Sequence, residues 1–104
     1  MANLFNHFQS ALEAFTKEVH DRVKENAKCV IKDSGASQNA FYIQGYRSDI
    51  EIRVECFIFL VSERRVSVSF SVECPFTGQH KREWSCMPIE LDAENLASSI
   101  NCYL

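Results

Sequence analysis

Cys74, His80 and Cys86 follow one another with five residues between each, the tightest grouping of thiols and imidazole in the chain. Thiolates with imidazole bind zinc, and a thiolate beside an imidazole is a nucleophile. Neither chemistry fits this spacing. Structural zinc sites draw on closely spaced cysteine pairs, and no C-x-x-C occurs. With His80 at a turn and Cys86 along the strand beyond it, the second thiol is carried away from the imidazole. A catalytic thiol needs an exposed, electropositive setting within reach of a base. Nothing beside His7, His20 or His80 supplies one, and His7 and His20 fall off the apolar stripe of their helix, where they are expected to be solvated. The five cysteines, Cys29, Cys56, Cys74, Cys86 and Cys102, therefore read as free structural thiols, with Cys56 and Cys86 on the core face as small hydrophobes. Glu51, Glu55, Glu73 and Glu83 alternate with Arg and Ser as on a solvated sheet face, not as a catalytic acid and base. Gly35, Gly45 and Gly78 stand alone, so no phosphate-binding loop is present. The expectation is a protein with no catalytic, cofactor or metal site.

Two groupings suit recognition instead. Phe57, Phe59 and Val61 run beside Ser67, Ser69 and Ser71. Aromatic anchors with small polar neighbours make a partner-binding or self-association patch, unless residues 33–39 or a helix fold over them. The second grouping comes from two turns expected at one end of a sheet, roughly 10 Å apart. It gathers Tyr46, Arg47, Phe76, His80, Lys81 and Arg82. Aromatics interleaved with cations fit an acidic protein or a single-stranded nucleic acid. Arg64 and Arg65 fall at the opposite end, so the cations form no single stripe.

The elements that must position these groups are legible from periodicity. Ile50, Ile52, Val54, Cys56, Ile58 and Leu60 occupy even positions, and Val66, Val68, Phe70, Val72 and Cys74 continue the parity. Alternation of this kind is a half-buried hairpin. Matching even with even needs an odd loop, which residues 62–64 supply, pairing Leu60 with Val66, Val54 with Val72 and Arg53 with Glu73. Residues 41–44 read as a preceding strand, residues 45–48 as a four-residue turn, and Gln44 as the partner of Asp49. Residues 80–87 form a fourth strand, with Trp84 and Cys86 on the even face, Lys81 opposite Glu73, and Pro88 as the stop. Residues 29–32 are at most a short extended piece, and residues 33–39, small and polar, read as a loop.

Phe5, Phe8, Leu12, Phe15, Val19 and Val23 make a helical stripe over residues 3–27, with Asn3 as N-cap and Glu13–Lys17 and Glu18–Arg22 as supporting pairs. Asp92 caps a last helix reaching about residue 103, with Leu91 and Leu96 spaced as a hydrophobic staple. The fold expected is α+β: a four-stranded antiparallel meander with both helices mainly on one face, a two-layer α-β-β-β-β-α sandwich.

At 104 residues the chain is sized for one domain, and its 46% hydrophobic and 24% charged residues are a globular mixture. A net charge of -3 disfavours phosphate backbones and suits a basic protein or a component of a nucleic-acid-processing complex. An odd cysteine count and a polar beginning suggest a reducing cytoplasm, and no run spans a membrane. Small acidic α+β proteins without a chemical site include toxin immunity proteins and phage-encoded inhibitors of host defence such as anti-CRISPR proteins. The expected function is of that kind: a non-enzymatic inhibitor that occludes a protein target, with homodimerisation through the outer sheet face as a further use of the same strip. The alternative is a nucleic-acid or acidic-ligand module working from the Tyr46 and Phe76 end.

Overall fold

The computed structural model describes residues 2–104, with side chains from residue 10 onward. Its elements are α1 (Ala2–Lys24), β1 (Val30–Ala36), β2 (Ala40–Arg47), β3 (Ile50–Ser62), β4 (Arg65–Cys74), β5 (Gly78–Cys86), a 3-10 turn (Pro88–Glu90) and α2 (Ala93–Asn101). The strands form one antiparallel sheet in the order β1-β2-β3-β4-β5, with both helices packed on it. The class is α+β as expected, but the meander has five strands, not four.

The central hairpin has the register its alternation requires. Leu60 pairs with Val66, Val54 with Val72 and Arg53 with Glu73. The odd count arises differently from a three-residue loop: Ser62 pairs with Arg65 across a two-residue turn, and the register shifts between Leu60 and Ser62, leaving Val61 as a bulge. Even side chains from Ile52 to Ile58 of β3 and from Val66 to Cys74 of β4 are buried, with Val54, Cys56, Ile58, Val68 and Val72 fully enclosed, whereas Leu60 is half-buried and Ile50, at the start of β3, is exposed. Val19 and Val23 of α1 and Leu96, Ala97 and Ile100 of α2 close over them.

The hairpin before it departs from expectation. Gly45 lies inside β2, and the turn is Ser48-Asp49, with Arg47 paired to Ile50. Gln44 therefore meets Arg53, Ile43 meets Val54 and Phe41 meets Cys56, four residues further along β3 than a turn at 45–48 would give. Ser48 and Asp49 both take positive φ, 51° and 67°. That is the left-handed pair of a tight two-residue hairpin turn, normally filled by Asn-Gly. Ser48→Asn with Asp49→Gly should accordingly raise stability by about 1 kcal/mol, read as an upward shift of the urea midpoint.

Residues 33–36 are not loop but the second half of β1, paired to β2 through Asp33–Gln44 and Ala36–Phe41. The register slips between Ile31 and Asp33, so apolar alternation is lost where the strand begins. On β5, Lys81 stands opposite Ser71, and Glu73 faces Gln79. Asp92 caps α2, accepting from the Glu94 and Asn95 amides at 2.9 and 3.2 Å.

On α1 the Glu18–Arg22 pair forms at 3.4 Å, whereas Lys17 turns to Asp21 at 3.3 Å. His20 is not solvated but buried: its ring meets Phe41 edge-on at 5.8 Å, and Nδ1 lies 2.9 Å from Asp21 Oδ1. The helix face that meets the sheet is wider than the Val19–Val23 stripe and takes in Thr16 and His20. The hydrogen bond from His20 holds the Asp21 carboxyl below its usual range. α1 begins at Ala2, so Asn3 falls within the helix and not at its N-cap; the side chains of Asn3, Phe5, His7 and Phe8 lie outside those described.

Candidate interaction surface

Odd residues of β3 and β4 point away from the helices. Both helices pack on the even face, and residues 33–36 lie in the sheet plane, so none of these elements folds over the odd face. Phe57, Phe59 and Val61 are 41%, 49% and 61% exposed. The two phenyl rings stand parallel, centroids 6.2 Å apart and planes 2° from each other. Period-two spacing puts them on one side of β3, and the Val61 bulge ends the row where the hairpin turns. Beside them on β4, Ser69 pairs with Phe57 and Ser67 with Phe59. The result is an aromatic ridge next to a floor of half-buried serines.

Tyr42 extends this patch, a contribution the sequence reading missed. At its true register Tyr42 pairs with Glu55, diagonally beside Phe57, whereas the expected register would have set it against Glu51. Its hydroxyl donates to Asp33 Oδ2 at 3.2 Å, and its ring lies over Gly35, where a Cβ would sit 2.8 Å from Cε1. A shallow depression of about 560 Å³ opens between Tyr42, Phe57 and the end of β1. Toward the other end the face turns charged. Arg53 pairs with Glu55 at 3.3 Å, and Gln79 donates to Glu73 at 3.4 Å. A second depression of about 640 Å³ there is lined by Lys32, Tyr46, Glu51, Arg53 and Glu73.

The six residues expected to gather at the turn end are divided by the fold. Tyr46 and Lys81 lie on the outer face, with Lys32 5.9 Å from the centroid of the Tyr46 ring. Arg47 stacks on Phe76 at 4.7 Å and donates to the main-chain oxygen of Leu104. His80 stacks on Tyr103 at 4.2 Å and donates from Nε2 to the Thr77 carbonyl at 2.6 Å, while the Thr77 hydroxyl donates to the Tyr103 carbonyl. Arg82 lies on the helix side, 5.9 Å from the Trp84 ring. Arg47, Phe76 and His80 thus anchor residues 103 and 104 against the sheet.

The thiols are dispersed. His80 pairs with Val72 and Cys86 with Val66, six residues or roughly 20 Å apart along β5. Burial pushes the Cys56 thiol up to about 12 and raises Cys29 and Cys86 as well, Cys86 with help from Glu90. At Cys74 burial also acts upward, but hydrogen bonds from Phe76, Thr77 and Arg47 outweigh it and the thiol is lowered. Cys74 is itself enclosed, its sulfur facing the Leu104 oxygen. Among the described residues no three His, Cys, Asp or Glu side chains come together as a metal site, and no helix is long and apolar enough to cross a membrane. The chain matches no protein-family model, and neither curated proteins nor solved structures give a significant match.

Proposed function

We propose that the protein acts by binding another protein through the outer sheet face and occluding it, without chemistry of its own. The supporting observation is the uncovered ridge of Phe57, Phe59 and Val61, with Ser67 and Ser69 as its floor. Three large apolar side chains held on the solvent side of a sheet do nothing for the core, and aromatic anchors in a neutral surround are what binding hot spots use. The chain's net charge of -3 favours a basic partner, such as a component of a nucleic-acid-processing complex. Inhibitors of this design, including immunity proteins and phage-encoded anti-defence proteins, work in a reducing cytoplasm where five free thiols persist.

The nucleic-acid alternative has weaker support, because Arg47 and His80 are engaged in holding residues 103 and 104. The test is affinity capture with wild type against Phe57→Ser/Phe59→Ser. The variant should lose the captured partner by at least about tenfold in affinity while keeping its circular dichroism. Undiminished capture by the folded variant would sink the reading.

A further inference from the structure

We infer that the outer face also recognises itself: a second copy of this chain packs on it, related by a two-fold axis lying between the two sheets along the β3/β4 seam. The inference rests on the outer face being an interaction surface, as proposed above, and adds what covers it when no target is bound.

The register decides the geometry. A two-fold along the seam carries β3 over the partner's β4 and β2 over the partner's β5, with rows of equal height preserved. Residues paired within one sheet then become mates across the interface. Phe57 pairs with Ser69 and Phe59 with Ser67 in the sheet, so each aromatic ring descends on the partner's serine floor, twice over. Aligned packing of this kind is how two sheets stack. The charges follow the same rule. Arg53, paired with Glu73, comes over the partner's Glu73, and Glu55 comes over the partner's Ser71. Tyr42 stands in the row of Glu55, Ser71 and Lys81, so its ring meets the partner's Lys81. Ala40, in the row of Phe57 and Ser69, meets the partner's Glu83. No like charges are superposed in these rows.

The competing two-fold, across the strands, sets ridge on ridge and floor on floor, and leaves a void above the serines. Four strands by eight residues give roughly 500 Å² of overlap per copy, below the ~800 Å² of a standard interface. The dimer is therefore weak, and a target can displace it.

Sedimentation equilibrium over the micromolar range tests this, with urea midpoints checking that every variant folds. Wild type should show a monomer–dimer equilibrium. Phe59→Ser should weaken it by at least about tenfold, and so should Ser67→Phe, which sets ring against ring. The double variant, Phe59→Ser with Ser67→Phe, exchanges ring and floor in that one row, restores ring over serine there, and should regain dimerisation. It should not regain target binding, since one of the two rings has changed strands. Arg53→Glu and Glu73→Arg, singly and together, repeat the design at the charged end should an aromatic variant fail to fold. A monomeric wild type, a Ser67→Phe variant that dimerises as well as wild type, or a folded double variant that stays monomeric each overturns the inference. Target capture that survives such an outcome leaves the occlusion reading standing, whereas dimerisation without any target would leave only the self-recognition.

Discussion

Gly45→Ala should lower stability by about 3 kcal/mol, the upper end of what overpacking a close-packed site costs. A Cβ built at Gly45 lies 2.2 Å from the carbonyl oxygen of Val30 and 3.0 Å from Cα of Ile31. Both contacts are to backbone, so no rotamer change relieves them. The close approach comes from the register slip in β1: Ile31 pairs with Gly45 but Asp33 with Gln44, and the bulge presses Val30 and Ile31 against β2. The alanine methyl can be placed only by moving β1 outward. Urea denaturation should show the loss, and amide exchange should show where it falls. Protection should collapse for the β1 amides and for those of β2 that face them, with β3 and β4 nearly unchanged. A stripped β2 becomes an edge with unpaired main-chain groups, so the variant should also aggregate at concentrations the wild type tolerates. Uniform loss of protection across the sheet would mean that β1 and the central hairpin open together.

What the sequence yields and what it hides follow from where each strand lies. β3 and β4 are central strands with a core on one face, and burial demands strict alternation there, so their register can be read from parity alone. β1 is an edge. Its residues run exposed, half-buried and exposed again with no period, because the bulge interrupts the pleat and Gly35 leaves its packing to Tyr42. Such a strand is held by main-chain pairing, which every sequence offers equally, and Asp33-Ser34-Gly35 looks like a turn until its partner is known. The β2–β3 turn misleads for the opposite reason. Glycine suggests a turn at 45, yet Gly45 is required by a close approach inside the strand, and the left-handed positions fall to Ser48 and Asp49. His20 escapes notice because helix periodicity is judged on apolar residues, while this imidazole fills its place by lying edge-on against Phe41.

The candidate surface was legible to the same degree as its strands. The ridge on β3 and its serine neighbours on β4 follow from the central register alone. Tyr42 required the β2–β3 register, and the cluster at the turn end required knowledge of where residues 103 and 104 lie. Those two residues draw Arg47, Phe76 and His80 into packing with them, a long-range contact with no local signature. Pairwise parity reveals a face. Which polar groups on it are free depends on everything else that reaches them.

Ile58→Ala isolates that face from the core within three consecutive residues. Ile58 is fully buried between Phe57 and Phe59, and its amide donates to the Asn39 carbonyl at 2.7 Å. Truncation removes three carbons from a packed interior and leaves a cavity that β-sheet neighbours cannot collapse into, a loss of about 3 to 4 kcal/mol. Against the ~5 to 15 kcal/mol that holds a domain of this size together, that is a large share, and the melting temperature should fall by roughly 15 °C or more. Phe57→Ser and Phe59→Ser, one residue to either side, should each cost only about 1 kcal/mol, since their rings are half open to solvent and what is lost is cross-strand contact and β-propensity rather than core. Stability and binding should therefore separate with the period of the strand. The even residue governs folding and leaves association intact in the fraction that folds, and the odd residues govern association and leave folding intact. Thermal melts of the three single variants, run beside the capture and sedimentation experiments, check this directly. If Phe57→Ser or Phe59→Ser melted as low as Ile58→Ala, the odd face would be covered in solution by the chain itself, and the ridge would be core rather than a surface for a partner.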